Sequence, residues 1–240
     1  MKFGVITDIH NNLTALKVVM ERLNESECDK IICCGDIIGI GPCPEETVQY
    51  MMKISNLIAV RGNHEKYLIE GMPKEYPNEE NIGYEEMKHH RWEHNLLSAE
   101  SIAFLKGLPY RVDAAYEGFS LSIMHYCMNS EGHYINYKAD SSEDDLKKMF
   151  ADVKSDIILY GHNHSRNICS GDKQYINVGS LGCPAQDKDL ARAGVLTIEN
   201  GNVEIQPIDV KYDVNDVIGL MNKLNYPDAD TIKKYFYGVW

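Results

Sequence analysis

The chain has 240 residues, 44% of them hydrophobic and 25% charged, and a formal net charge of −12. A chain of this length can bury a core large enough to fold without disulfides or a structural metal, and its composition excludes a disordered or low-complexity protein. The acidic balance excludes broad binding to polymeric nucleic acid, which needs a basic face, but not an anionic substrate held beside bound cations. The 7 cysteines form no paired Cys-x-x-Cys motif and read as free thiols of a reducing compartment. Adjacent Cys33 and Cys34 sit in one apolar run and point to opposite faces of a strand, which makes them poor disulfide partners. Asp8 interrupts the N-terminal apolar run before it reaches signal length, and no window is long enough to span a bilayer. A soluble cytoplasmic protein with no membrane partner is expected.

Residues 3–7 form a compact apolar run ending at Asp8, as a buried strand does. Leu13, Leu16, Val19, Met20 and Leu23 then recur at spacings of three and four, which marks one face of a helix. Residues 30–34 predict a second strand, 45–53 a second helix and 57–60 a third strand. That alternation predicts parallel pairing through crossover helices. Residues 66–107 carry helical stretches and no strand, including a helix over 98–106 capped by Ser98 and stopped at Gly107; they read as a helical insertion. Residues 111–116 and 119–125 predict a hairpin across Glu117-Gly118. Ser141 or Ser142 then caps a helix reaching residue 154, and 157–160 is again a strand. Strands follow at 174–178, 194–199 and 203–209, the last two joined by the Asn200-Gly201 turn. Helices over 214–225 and 228–237 close the chain. With no linker and no internal repeat, residues 1–240 read as a single α/β domain with an insertion.

The chemistry concentrates at strand ends. Asp8 and His10 follow the first strand, Asp36 the second in Gly35-Asp36-Ile37-Ile38-Gly39, and Asn63 and His64 the third in Gly62-Asn63-His64-Glu65. His125 ends a later strand, and His162 and His164 follow another in Gly161-His162-Asn163-His164. The crevice at the carboxyl ends of strands is where an open α/β sheet collects ligands. A lone aspartate there is more often a turn residue, but that bland reading would have to hold at all of these positions together. Seven N and O donors suffice for two ions if one carboxylate bridges, and two ions can clamp an in-line displacement at phosphorus. Such donors suit Mn, Fe, Zn or Ni.

In this order, Asp-x-His, Gly-Asp-x-x-Gly, Gly-Asn-His-Glu, a lone His and Gly-His-x-His form a motif series. In it the chain resembles the calcineurin-like metallophosphoesterases across nearly its whole length. The Asp8-Ile9-His10-Asn11-Asn12 opening, the Gly35–Pro42 stretch, the Ile176–Gly182 run and Arg192 look most like the small YfcE-like branch. The resemblance implies a sandwich of two mixed sheets flanked by helices, and two metal ions with Mn or Fe favoured. It implies Asp8, His10 and His164 on one ion, Asn63, His125 and His162 on the other, and Asp36 bridging. It further implies a hydroxide nucleophile between the ions, with His64 contacting the phosphate and protonating or steadying the leaving oxygen. Where Gly commonly follows the first His, this chain has Asn11. The expected reaction is hydrolysis of a small phosphodiester or nucleotide-type substrate. Phosphomonoester hydrolysis, dinucleoside polyphosphate hydrolysis and a non-catalytic scaffold on the same fold stand as alternatives, and homo-oligomerisation is left open.

Several residues near these motifs carry weaker expectations. Asn12 and Arg166 flank ligand motifs and are expected phosphate contacts, with a turn role the equal alternative for Asn12. Lys88, His89, His90, Arg91, Trp92 and His94 would spread around a helix, so a solvated face is expected there, although the insertion could lean over the crevice as a lid. Tyr126, Tyr134 and Tyr137 are weak candidates for stacking on a base. His133 competes with His125 but sits in a loop, and neither Cys127 nor Cys183 is expected to be a nucleophile.

Overall fold

In the computed structural model, residues 1–78, 82–135, 138, 140–224 and 226–238 are described. In chain order the elements are β1 (Lys2–Ile6), α1 (Leu13–Glu25), β2 (Lys30–Cys33), α2 (Pro44–Met52) and β3 (Leu57–Ala59). Three helices follow: α3 (Asn63–Glu70), α4 (Tyr84–His94) and α5 (Ala99–Gly107). Then come β4 (Arg111–Tyr116), β5 (Phe119–Met124), α6 (Glu143–Met149), β6 (Ile157–Leu159), β7 (Asn167–Ser170) and β8 (Gln174–Asn177). The chain ends with β9 (Leu190–Glu199), β10 (Asn202–Lys211), α7 (Val214–Lys223) and α8 (Ala229–Tyr237).

The strands form two five-stranded mixed sheets, β10-β9-β1-β2-β3 and β4-β5-β6-β8-β7. Within the first, β1, β2 and β3 run parallel; within the second, β5, β6 and β8 do. Antiparallel β9 flanks the first trio on its β1 side, with β3 at the edge, and antiparallel β4 and β7 flank the second on both sides, so the fold is α/β with mixed sheets.

Alternation along the strands builds two cores at once. Phe3 and Val5 of β1, Ile32 of β2, Leu121 and Ile123 of β5 and Ile157 and Leu159 of β6 share one buried cluster between the sheets. Ile6 and Ile31, on the opposite face, join Leu16, Val19, Leu23, Val48 and Met51 of α1 and α2 in another. Each such side chain contributes roughly 1.5–3 kcal/mol by burial, so the strand ends that carry the polar residues are anchored from both faces. Cys33 and Cys34 fall into different clusters, as alternation requires, and all 7 cysteines are free.

The predicted elements appear with small shifts at their ends, and three differences have physical causes. The helix expected from Ser142 to residue 154 ends at Met149, because Phe150 and Val153 turn inward to pack with Tyr160 and Tyr175. The edge strand β7 was not expected; its burial is only intermediate and its polar ends carry no alternation. Gly107 is the last residue of α5 rather than its stop, which falls at Leu108. The C-terminal boundary expected at Asn225 lies outside the described residues. No helix among the described residues is long and apolar enough to cross a membrane.

Candidate metal centre

Three tight loops leave the first sheet at one rim. The loop after β1 carries Asp8 and His10, the loop after β2 carries Asp36, and the chain after β3 enters α3 directly at Asn63 and His64. The second sheet delivers His125 after β5 and His162 and His164 after β6 to the same place. Asp8, His10, Asp36, His162 and His164 all have φ between 50° and 76°. Non-glycine residues in that region are strained by about 1–3 kcal/mol each and persist only where the surroundings over-determine them.

The surroundings do so through hydrogen bonds. The Asp8 and His10 N–H groups donate to the Gly35 and Asp36 carbonyls. The loop after β8 stitches the rim from below: Leu181 N–H donates to Thr7 O, Gly182 N–H to Asp8 O, and Ser180 Oγ to Asp8 O at 2.8 Å. Fully buried Glu65 accepts N–H groups from Asp36, Ile37, Ile38 and Gly62 at 2.7–3.1 Å, tying the second and third loops together. The Asp36 carboxylate accepts the His64 N–H at 3.1 Å at the N-terminus of α3, where unpaired N–H groups favour negative charge.

Seven donors converge. His10 Nε2 lies 2.9 Å from His164 Nε2 and 3.7 Å from Asp8 Oδ1, and His164 Nε2 lies 3.6 Å from the same oxygen. Nearby, Asn63 Oδ1 is 3.0 Å from both His125 Nε2 and His162 Nδ1, which are 3.2 Å apart. Asp36 Oδ2 stands between the groups, 3.2 Å from His125 Nε2 and 3.9 Å from His10 Nε2. Asp8–His10–His164 and Asp36–His125–His162 each bring three ligand atoms within 4.8 Å of one another. His10 Nδ1–H donates to Ile38 O at 3.2 Å and His125 Nδ1–H to Cys34 O at 2.9 Å, which fixes the tautomers and aims both Nε2 lone pairs inward.

The electrostatics are those of a cation site. Burial would raise the Asp8 and Asp36 carboxyls, but hydrogen bonds and charges from the surrounding histidines hold both below the ordinary range. Burial, with the charge of neighbouring histidines, pushes His162 and His164 down to about 4, whereas at His10 and His125 the Asp8 and Asp36 carboxylates outweigh burial and raise the imidazoles, His125 to about 9. Buried carboxylates and imidazoles with no thiolate are the donor set of a divalent transition metal, and these residues fit one.

His64 stands beside this set, 7% exposed, with Nε2 3.8 Å from Asp36 Oδ2 and Nδ1 without a hydrogen bond among the described residues. A third grouping, His10–Asp36–His64, also brings three ligand atoms within 4.8 Å and shares His10 and Asp36 with the other two. Gly39 explains the ring's position: a Cβ there would lie 2.2 Å from His64 Nδ1.

Two expected phosphate contacts are spent elsewhere. Buried Asn12 caps α1 by accepting the Ala15 N–H at 3.0 Å and donates to Gly182 O at 2.9 Å, which is the turn role. The Arg166 guanidinium is taken up by Asp209 and by the Val178 and Ile208 carbonyls. The histidine-rich helix departs from the solvated face expected of it. His89, His90 and Glu93 are 3%, 1% and 0% exposed, because α4 packs this face against the Gly39 loop and Tyr226. Lys88 and Arg91 alone in that run are exposed, and the His90 ring sits 4.8 Å from His64. Tyr126 and Tyr134 pack behind His162 at 4.7 and 5.8 Å rather than in the crevice; Tyr137 lies outside the described residues. The Cys127 and Cys183 thiols are pushed up by burial, consistent with inert cysteines.

Above the donors opens a cleft of about 510 Å³ with Asp36, Asn63, His64, His162 and His164 in its floor. Helix α4 forms one wall and α8 another. Glu65, Glu93 and the α8 wall carry no role in the motif pattern of the sequence. A carboxylate three residues into a helix hinted at Glu65's backbone role, while α8 carried only an amphipathic pattern.

This arrangement is that of a metallophosphoesterase, and the chain belongs to the calcineurin-like phosphoesterase superfamily, whose domain model matches residues 1–201. Its fold is similar to that of a metallophosphoesterase from Sphaerobacter thermophilus, with a TM-score of 0.75 at 21% identity over 100% of this chain and 99% of the other. A hypothetical protein, PH1004, from Pyrococcus horikoshii OT3 superposes with a TM-score of 0.84 at 18% identity over 99% and 98%. In sequence the chain is 27% identical to the uncharacterized protein MJ0912 of Methanocaldococcus jannaschii over 94% of this chain and 93% of that one.

Proposed function

We propose that the chain is a dinuclear-metal phosphohydrolase that cleaves a small phosphodiester or nucleotide-type ester. The observation that carries this is the pair of donor groups Asp8–His10–His164 and Asp36–His125–His162, with Asp36 Oδ2 of the second also 3.9 Å from His10 Nε2 of the first. Asp8, His10 and His164 would hold one ion, Asn63, His125 and His162 the other, and Asp36 both. When bound, the ions supply Lewis acidity toward phosphoryl oxygens and lower the pKa of water so that hydroxide is available at neutral pH. The chain's own contribution is to fix the donors and to place His64 where it can donate a hydrogen bond to a phosphoryl or leaving oxygen. Burial, reinforced by the charges of His90 and His10, holds the His64 imidazole well below its ordinary pKa. It is therefore neutral at rest, and any proton it takes up is readily given to a departing oxygen. The net charge of −12 supports a small substrate over polymeric nucleic acid.

The test is a metal assay coupled to one variant. Purified protein is expected to carry close to two transition-metal ions per chain. His64→Ala is expected to lower kcat by roughly 10²- to 10⁴-fold with metal content near normal. A protein that takes up no metal, and gains no activity with Mn²⁺, would sink the site model; full turnover in His64→Ala would sink the histidine's role.

A further inference from the structure

The family domain ends at residue 201, yet one wall of the cleft is made by residues after it. Helix α8 presents Ile232, Tyr235 and Phe236 to the cleft, and the Phe236 ring centroid lies 6.3 Å from that of His164. Tyr235 is 65% exposed. Large exposed aromatics are usually unremarkable when scattered over a surface, but this one stands at the mouth of a cleft beside two further apolar side chains. The Lys234 ammonium lies over one face of the Tyr235 ring, 5.9 Å from the centroid, and a planar group in the cleft would stack on the other.

The charges lining the cleft restrict what that group can be attached to. Glu85 and Glu86 of α4 and Asp228 at the start of α8 are acidic. Lys188 is the one lysine or arginine among the described lining residues, and its Nζ donates to Pro184 O at 2.8 Å. Phosphates beyond the one at the donor centre would lie in a cleft whose described lining sets these three carboxylates against the Lys188 ammonium and a His90 imidazole already beside Glu86 and Glu93.

We propose that the α8 wall is the specificity element of the site, selecting esters of a single phosphoryl group whose alcohol carries a planar aromatic ring, and that the acidic rim disfavours polyphosphates. This rests on the hydrolase reading of the donor centre for its metal. It goes beyond that reading by naming what the cleft recognises and by excluding the anhydride substrates that the same centre could otherwise serve.

The test is equilibrium binding to full-length, Mn²⁺-loaded His64→Ala protein, which suppresses turnover, at constant free Mn²⁺. Ribose 5-phosphate, adenosine 5′-monophosphate, phenyl phosphate and adenosine 5′-diphosphate are titrated by calorimetry. The two ring-bearing monophosphates are expected to bind on the order of 10-fold more tightly than ribose 5-phosphate, the lower part of the range for stacking on one aromatic side chain. Adding Tyr235→Ala is expected to remove most of that margin, Tyr235→Phe to keep it, and the diphosphate to bind no tighter than the monophosphate. Equal binding of ribose 5-phosphate and adenosine 5′-monophosphate would overturn the proposal. So would an equal loss for all ligands in Tyr235→Ala, or a diphosphate preferred several-fold. Wild-type turnover is measured separately. A ring preference without turnover of any ester defeats the hydrolase reading alone, whereas turnover without a ring preference defeats only the α8 assignment.

Discussion

Glu65 accepts four backbone N–H groups from two loops that carry Asp36, Asn63 and His64. Burial and the charge of Asp36 push its carboxyl up to about 7, and those N–H groups favour the ionised form that accepts them all. Gly39, held by Glu93 through its N–H at 2.7 Å, completes the arrangement by leaving room for the His64 ring. Its φ of +97° and the 2.2 Å approach of a built Cβ to His64 Nδ1 mean that an alanine must displace the ring. Gly39→Ala is expected to lower kcat by 10²-fold or more with metal content retained. Wild-type turnover would show that the ring's position is immaterial.

His90 is a second residue-scale case. Burial lowers its pKa, but Glu86 at 3.8 Å and Glu93 at 3.7 Å outweigh that and raise it to about 9 from 6.5. A raised folded pKa stabilises the fold fully below 6.5, and that contribution is lost as pH rises through about 9. Urea unfolding of the metal-free chain should therefore show stability falling across that window. His125, which burial lowers but Asp36 raises to about 9, adds to the same slope, so His90→Gln should lessen it without abolishing it; an unchanged slope would exclude His90 as a contributor.

At the scale of elements, the strand–loop units were legible because periodicity and polarity switch at the same residue. Ile6 is the last buried strand position of β1, and Asp8 and His10 follow within four residues. The inward face of α4 was not legible, because it is built from His89, His90 and Glu93 rather than apolar residues, and a pattern search assigns such a face to solvent. Nor could the sequence say that Arg166 turns toward Asp209, since that partner lies 43 residues away on β10. The docking of α7 and α8 is carried by Val217, Met221, Tyr226 and Tyr237, all at most 4% exposed within the cluster that backs β9 and β1. Met221→Ala should cost about 2–5 kcal/mol, the usual range for a buried methionine. A loss below about 1 kcal/mol in chemical denaturation would mean that the hairpin is not docked as described.

At the scale of the molecule, the donor set is a concentration of like groups that folding brings together. Asp8 and Asp36 are buried among His10, His125, His162 and His164. A cation that binds only the folded chain stabilises it by about 2.7 kcal/mol at 100 times its dissociation constant. For a chain of this size that corresponds to a rise in melting temperature of roughly 5–10 °C. Calorimetric scans with Mn²⁺ and after chelation should differ by this order, and Asp8→Ala together with Asp36→Ala should remove the difference. Equal melting temperatures with and without metal in the wild type would contradict a site that binds only the folded state.

The rim draws its donors from both sheets, and this sets an order in time. Asp8, His10, Asp36 and Asn63 emerge from the ribosome with the first quarter of the chain, whereas His162 and His164 are made some hundred residues later. A nascent chain holding only the first sheet's loops offers mainly oxygen donors and a single ligating imidazole. Such a partial site favours the hard, abundant cations of the cell over transition metals. The imidazole-rich set exists only once the second sheet has closed against the first, so choice of metal becomes a property of the finished protein and of the moment at which it finishes.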